Sequence, residues 1–306
     1  MTENEAAATA DTTRRVVVIS NPASGGAADG DRLEKAIEKT LGSSGGNWTV
    51  EWSPTTEDDP GIGQAREAVE SGADRVIAAG GDGTVRAVLE SVAGSDTELA
   101  VIPLGTGNLL AGNLDLPSGL DATETALGSA TRRLDVATVN GETFAVMAGI
   151  GFDAEMIRDA NPKVKKRLGS VAYVWSAVKH IRRRPVHTSL TIDGRSVWHG
   201  RAAMVLVGNC GTVTGGLAVF PDADPHDGQL DIAVLAVRSM REWASVMWRL
   251  LRSRDQRPDL VTRYTARDAV VEVERPEPYE LDGEDRPPTR RLEFSIEPDA
   301  LEVVCP

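Results

Sequence analysis

Short apolar runs alternate with amphipathic stretches from residue 15 onward, and three of those runs end in a glycine-rich loop. RVVVIS at 15–20 reads as a buried strand. Residues 28–41 follow with Leu33, Ile37 and Leu41 on one helical face. Residues 48–53 alternate as a strand does, 64–71 are helical, and 75–79 form a strand ending in Gly80-Gly81. A helix is predicted at 85–92, a strand at 99–103, and helices at 106–114 and 122–130. Strand and helix in alternation predict a doubly wound parallel sheet of the α/β class. In such sheets ligands bind beyond the carboxyl ends of the strands.

The rhythm changes near Arg132. Strand-like runs then follow one another at 134–139, 143–149, 188–192, 201–208, 230–237, 269–274, 292–296 and 301–304. Two helical stretches, 163–184 and 240–252, interrupt them. This half predicts an antiparallel, β-rich second domain. A chain of 306 residues is long enough for two cores. The division expected is a disordered tail at 1–13, an α/β domain at 14–131, a β-rich domain at 132–291, and C-terminal strands at 292–306.

Charge and cysteine content narrow the setting. With 46 acidic against 33 basic side chains the net charge is −13, which argues against nucleic-acid binding. Cys210 and Cys305 cannot make a disulfide scaffold at this size, so a reducing cytoplasm is the expected setting. Neither a signal peptide nor an apolar run of about 18 residues is expected. The basic residues are unevenly placed: 163–184 carries eight and no acidic residue.

Three loops stand at strand ends: Asn21-Pro22-Ala23-Ser24-Gly25-Gly26, Gly80-Gly81-Asp82-Gly83-Thr84 and Pro103-Leu104-Gly105-Thr106-Gly107-Asn108. Glycine lets backbone N–H groups approach an anion with no Cβ in the way. A helix starting after the loop adds partial positive charge. The hydroxyls of Ser24, Thr84 and Thr106 are candidate donors to phosphate oxygens. The chain has no GxxxxGK[ST], no GxGxxG after a strand, and neither HRD nor DFG, so a phosphate site here is of another kind. Asp82, between two glycines, has two readings: a helix cap for the segment from Thr84, or a group that handles a metal, a proton or a hydrogen-bond network.

In this order and at these spacings NPASGG, GGDGT and PLGTGN resemble the catalytic domain of the diacylglycerol kinase family, soluble lipid kinases akin to sphingosine and ceramide kinases. GIGFDA at 149–154, Leu168-Gly169 to Tyr173, Gly208-Asn209, Gly215-Gly216, Pro221 to Asp231, and Leu281-Asp282-Gly283-Glu284 extend the resemblance over 15–306. It implies a nucleotide-binding α/β domain and a β-sandwich-like second domain, with the active site in the cleft between and the last strands returning to the first domain. It implies transfer of the γ-phosphoryl group of ATP to a lipid hydroxyl with Mg²⁺. By position, nucleotide contacts fall on Asn21, Ser24, Gly25, Gly80, Gly81, Asp82, Gly83, Thr84 and Thr106. Thr56 is a further candidate, with Thr55 beside it.

Glu284 matches the family's proton acceptor, and Asp82 is the rival. Asp282-Gly283 is equally a hairpin signal. Asp227 matches a Mg²⁺ ligand completed by the carbonyls of Asp224 and Gln229, in a site that orders the second domain; the other reading is a solvated acidic turn. His226 reads as a bystander for so hard an ion. Three departures stand out: Arg86 and Ala87 where relatives often carry Asn-Glu, and Leu109 where they often carry Asp.

Diacylglycerol is the default acceptor. The alternatives are a soluble kinase of the NAD kinase and phosphofructokinase superfamily and a non-catalytic nucleotide- or lipid-binding regulator. A lipid substrate accounts for the basic, Trp-bearing stretches 163–184 and 240–252 as peripheral membrane contacts of a cytoplasmic protein. Relatives often dimerise, so a homodimer stays open.

Overall fold

The structure, a computed structural model, describes residues 13–22, 27–44, 47–151, 185–213, 217–251 and 259–306. In its first half β1 (Arg14–Ser20), α1 (Ala27–Ser44), β2 (Trp48–Pro54), α2 (Ile62–Glu70), β3 (Arg75–Gly80), α3 (Asp82–Val92) and β4 (Glu98–Pro103) follow in turn. All pairings are parallel and the order is β2-β1-β3-β4. Side chains on β1 alternate between the two faces, as the two-residue period of a strand requires. Val16 and Val18 join Leu33 and Ile37 of α1 in one core, whereas Val17 and Ile19 join Val85 and Val88 of α3 in another. Covered on both faces, these strands read as continuous apolar runs, which is why they were legible.

The next two helices are shorter than the sequence predicts. α4 (Leu109–Asn113) starts three residues late and α5 (Ala122–Ala126) ends four residues early. Asn108 is the cause at α4: it takes a left-handed conformation, φ 50°, and its side chain closes the preceding turn on Gly105. Gly128 follows the end of α5.

The second half is antiparallel. It contains β5 (Thr131–Val139), β6 (Glu142–Phe144), β7 (Met147–Ile150), β8 (Val186–Ile192), β9 (Arg195–Ala202), β10 (Met204–Gly208), β11 (Thr212–Val213), β12 (Leu217–Ala218) and β13 (Leu230–Leu235). Helix α6 (Met240–Leu251), β14 (Val261–Ala266), β15 (Asp268–Leu281) and β16 (Glu284–Val304) complete it. Strands run in the order β14-β13-β10-β7-β15-β16, with β8 also on β15 and β5 also on β16. Phe144, Leu190, Val207, Ile232, Val271, Leu281 and Phe294 fill the sandwich, and Phe144 meets Phe294 edge-on at 6.3 Å.

Several predicted runs are corrected. The run 143–149 is two strands, β6 and β7, broken at Ala145-Val146, and 201–208 is divided between β9 and β10 at Ala203. The runs 292–296 and 301–304 are one strand, β16, with a register shift between Glu297 and Leu301. β16 pairs with β15, then β5, and Val303 pairs in parallel with Leu99 of β4. The stretches 1–12 and 163–184 lie outside the described residues.

Two features lock the halves together. One core cluster runs from Val85, Leu89 and Leu110 through Met147, Met204 and Leu206 to Trp243. Asn113 of α4 donates to the Thr212 carbonyl at 2.9 Å, and its Oδ1 accepts from the Thr212 N–H at 2.9 Å and hydroxyl at 2.8 Å.

Candidate active site

β3 and β4 end side by side, with Gly80 opposite Pro103, so the second and third glycine loops leave the sheet together. They touch backbone to backbone: a Cβ on Gly105 would stand 2.5 Å from the Gly81 Cα. Asp82 ties them further. Its Oδ2 accepts the Asn108 N–H at 2.9 Å and its Oδ1 the Leu109 N–H at 2.6 Å, at the start of α4. The N-cap of α3 is Gly81, so Asp82 caps the helix across the loop and not its own. Burial pushes its carboxyl up, these amides pull it back, and the nearby Glu284 charge raises it again. Asn108 Oδ1 accepts the Gly105 N–H at 3.0 Å and its Nδ2 donates to the Gly105 carbonyl at 2.9 Å, which leaves Thr106 exposed at the tip.

Gly105→Ala should drive these loops apart and lower thermal stability by about 1–3 kcal/mol, the ordinary cost of overpacking. Gly112→Ala, on α4 with open space around it, is the control and should be neutral or slightly stabilising. Equal melting temperatures for the two variants would show that the contact yields freely.

The first loop joins through Asn21, whose N–H donates to the Ala79 carbonyl at 3.0 Å and whose Nδ2 lies 3.4 Å from Thr84 Oγ1. Thr84 is buried, and a Cβ on Gly80 would stand 2.8 Å from its Cβ. Its hydroxyl accepts from Asn21 Nδ2, so in this structure it joins the first loop to the second. Ser24 and Gly25 lie outside the described residues. Past β2, Thr55 is buried and Thr56 exposed, with Thr56 Oγ1 accepting the Asp59 N–H at 3.1 Å.

Glu284 arrives from the sandwich. Asp282 and Gly283, at φ 46° and 86°, make a two-residue turn between β15 and β16. Both left-handed residues fit a type I′ hairpin, for which Asp-Gly is a preferred pair. The hairpin reading holds, and the turn fixes where the Glu284 backbone stands. The turn sets Glu284 Oε1 over the first turn of α3, 3.0 Å from where a Cβ on Gly83 would be. Its Oε2 meets Arg86 Nη2 at 2.8 Å and both Arg286 Nη atoms at 3.3 Å. Arg286 is held in turn by Glu142 at 2.7 Å.

Behind the turn sit two carboxyls: that of Asp282, which the sequence marks only as a turn residue, and that of Glu280, which it does not mark. Asp282 is buried and accepts the N–H groups of Ala145, Val146 and Met147 at 2.7, 2.9 and 3.0 Å. That explains the break between β6 and β7, because these amides serve Asp282. Glu280 is buried and accepts the Gly283 N–H at 2.8 Å; burial pushes its carboxyl up to about 8. The available signal was the acidic density of the stretch around Asp282-Gly283, ELDGED.

The loop at 222–229 is a separate acidic turn. Asp227 Oδ1 accepts the Gln229 N–H at 2.9 Å, and the Asp224 carbonyl accepts the Asp227 N–H at 3.3 Å. Buried Asp135 anchors it by accepting the Gly228 N–H at 2.6 Å. His226 Nδ1 bonds the Arg133 carbonyl at 2.6 Å, as an anchor. Asp231 is pushed up to about 6 by burial and by the Asp227 and Asp222 charges, against Arg263. Among the described residues no three His, Cys, Asp or Glu side chains converge as a metal cluster. One carboxylate with main-chain carbonyls is a hard-oxygen donor set, and the long bond on the Asp224 carbonyl leaves it acceptor capacity; that fits Mg²⁺.

The chain thus joins a doubly wound domain with two glycine loops in contact to a sandwich whose hairpin brings a carboxylate beside them. Residues 15–139 match the family model for the diacylglycerol kinase catalytic domain, and 145–305 that for the YegS C-terminal NAD kinase beta sandwich-like domain. The chain is 30% identical over 276 residues to diacylglycerol kinase of Bacillus subtilis (strain 168), covering 89% of this chain and 90% of that one. It is 32% identical over 261 residues to a YegS-like protein of Pseudomonas aeruginosa (strain UCBPP-PA14), covering 82% and 83%. Its fold matches the crystal structure of a diacylglycerol kinase from Bacillus anthracis str. Sterne with a TM-score of 0.77, at 24% identity and over 96% and 97% of the two chains. The chain belongs to the diacylglycerol kinase family of lipid kinases.

Proposed function

We propose that the protein transfers the γ-phosphoryl group of ATP to a lipid hydroxyl, with diacylglycerol the default acceptor. The observation that carries this reading is Glu284 Oε1 over Gly83, where the sandwich meets the phosphate loops. Phosphoryl transfer asks a protein mainly for positioning and charge stabilisation. The loop amides of Gly80–Thr84 and Gly105–Thr106, with Asn21, Ser24, Gly25 and Thr56, would hold the nucleotide. The acceptor oxygen bonds to phosphorus, the bond to the leaving diphosphate breaks, and the hydroxyl proton goes to Glu284. Asp82, both oxygens committed to amides, is a positioning residue for the loops.

Mg²⁺ supplies charge neutralisation on the phosphates. A second, structural Mg²⁺ would be held by Asp227 and the carbonyls of Asp224 and Gln229. Cytoplasmic membrane contact through 240–252 is supported by α6. Its start is fixed by a capping box, in which Glu242 accepts the Ser239 N–H and Ser239 accepts the Glu242 N–H. Trp243 and Val246 are buried in the core while Trp248 is 53% exposed. No helix among the described residues is long and apolar enough to cross a membrane, so α6 would lie on the surface.

The test is incubation with γ-labelled ATP, Mg²⁺ and a panel of lipids in mixed micelles. Labelled lipid is the expected product, and the labelled species names the acceptor. Label on NAD or a sugar phosphate, with none on lipid, would move the protein to the soluble branch of the superfamily.

A further inference from the structure

Arg86 stands on α3 one turn beyond the second glycine loop, three residues from Gly83 and so on the same helix face. Its side chain is only 13% exposed, yet among the described residues just one of its donor atoms, Nη2, meets a carboxylate: Glu284 Oε2 at 2.8 Å. Its Nε is buried with no hydrogen-bond partner. A guanidinium has five N–H donors and a fork suited to two oxygens at once, and a buried unpaired donor is costly. This is a cation whose donors exceed its partners, at the mouth where the phosphate loops converge.

Glu284 does not depend on Arg86 to stay in place. Arg286, anchored by Glu142, also reaches Oε2, and the Asp282-Gly283 turn fixes the backbone. An arriving polyphosphate would find the Glu284 carboxylate in a repulsive position and Arg86 as the cation able to offset it.

We propose that Arg86 is a phosphoryl-binding residue that exchanges partners: it holds Glu284 in the empty cleft and pairs with the terminal phosphate of the nucleotide when the cleft fills. This rests on the phosphotransfer reading above. In the exchange Glu284 gives up one guanidinium, keeps Arg286, and turns to the acceptor hydroxyl. Arg86 then neutralises charge on the group being transferred, and no bond is made or broken by Arg86 itself.

Calorimetric titration of ATP and of ADP, each with Mg²⁺, tests it without turnover. Arg86→Gln should weaken ATP by about 10- to 100-fold, the loss of one charge-assisted contact, and leave ADP within about threefold. Arg86→Lys should recover part of the ATP affinity and guards against a folding defect, which melting curves check. Glu284→Gln should tighten ATP binding in the wild-type background, and that gain should shrink when Arg86→Gln is added, to the part due to relieved repulsion. Equal losses for ATP and ADP, or no loss for ATP, would overturn the exchange. So would weakened binding to phosphatidic acid vesicles with ATP unchanged, which would place Arg86 on the acceptor side. A wild type that binds neither nucleotide would instead sink the phosphotransfer reading, and the exchange with it.

Discussion

Glu284→Gln is expected to lower phosphoryl transfer by about 10²- to 10⁴-fold, the usual worth of a general base, while nucleotide binding and the fold persist. Glutamine has the same shape and keeps a carbonyl oxygen for Arg286, but it cannot take the acceptor proton. The side chain is 46% exposed, so the site tolerates an uncharged amide there, while Arg86, 13% exposed, exchanges a carboxylate partner for an amide oxygen. The arginines hold Oε2, whereas Oε1 lies at Gly83, so in the proposed mechanism Oε1 is the atom that takes the proton. Single-turnover transfer at saturating ATP is the measurement. A rate within about threefold of wild type would exclude general-base catalysis by Glu284. In that case Asp82 would have to release its amides from Asn108 and Leu109 to serve, and Asp82→Asn would show it.

The parallel half was legible because its signals are local. β1 and β3 are unbroken apolar runs, and glycine marks the end of β3. β16 was read as two pieces because Pro298 and Asp299 interrupt its pattern, yet the backbone crosses them with a register shift and continues. The break at Ala145-Val146 had no local mark, since its cause is Asp282, more than a hundred positions away. The site divides in the same way. Composition placed glycine loops at strand ends, and the family resemblance brought out Glu284. Nothing in sequence spacing says that Arg86 and Glu284, 198 positions apart, share an ion pair. Nor does it say that Thr84 is buried, with its hydroxyl joining the first loop to the second. Tertiary packing decides both.

Asp282→Ala should cost about 3–5 kcal/mol of stability, in the range for removing one partner of a buried charged network. Three buried amides, those of Ala145, Val146 and Met147, would lose their acceptor together. Alanine would also occupy a backbone at φ 46°, a conformation that Asp tolerates and Ala resists. For a chain of this size the melting temperature should fall by roughly 5–10 °C. Asp282→Asn separates the two causes: it keeps the left-handed turn and one acceptor oxygen, so it should lose roughly half as much. The functional consequence follows from position, because this carboxylate is what moors the β15–β16 turn to the start of β7. Freed of it, Glu284 would lose its register over Gly83, and transfer should fall even at temperatures where the variant is folded. A stable Asp282→Ala variant with wild-type transfer would mean that the hairpin holds Glu284 without this anchor, leaving Glu280 and the type I′ turn as sufficient.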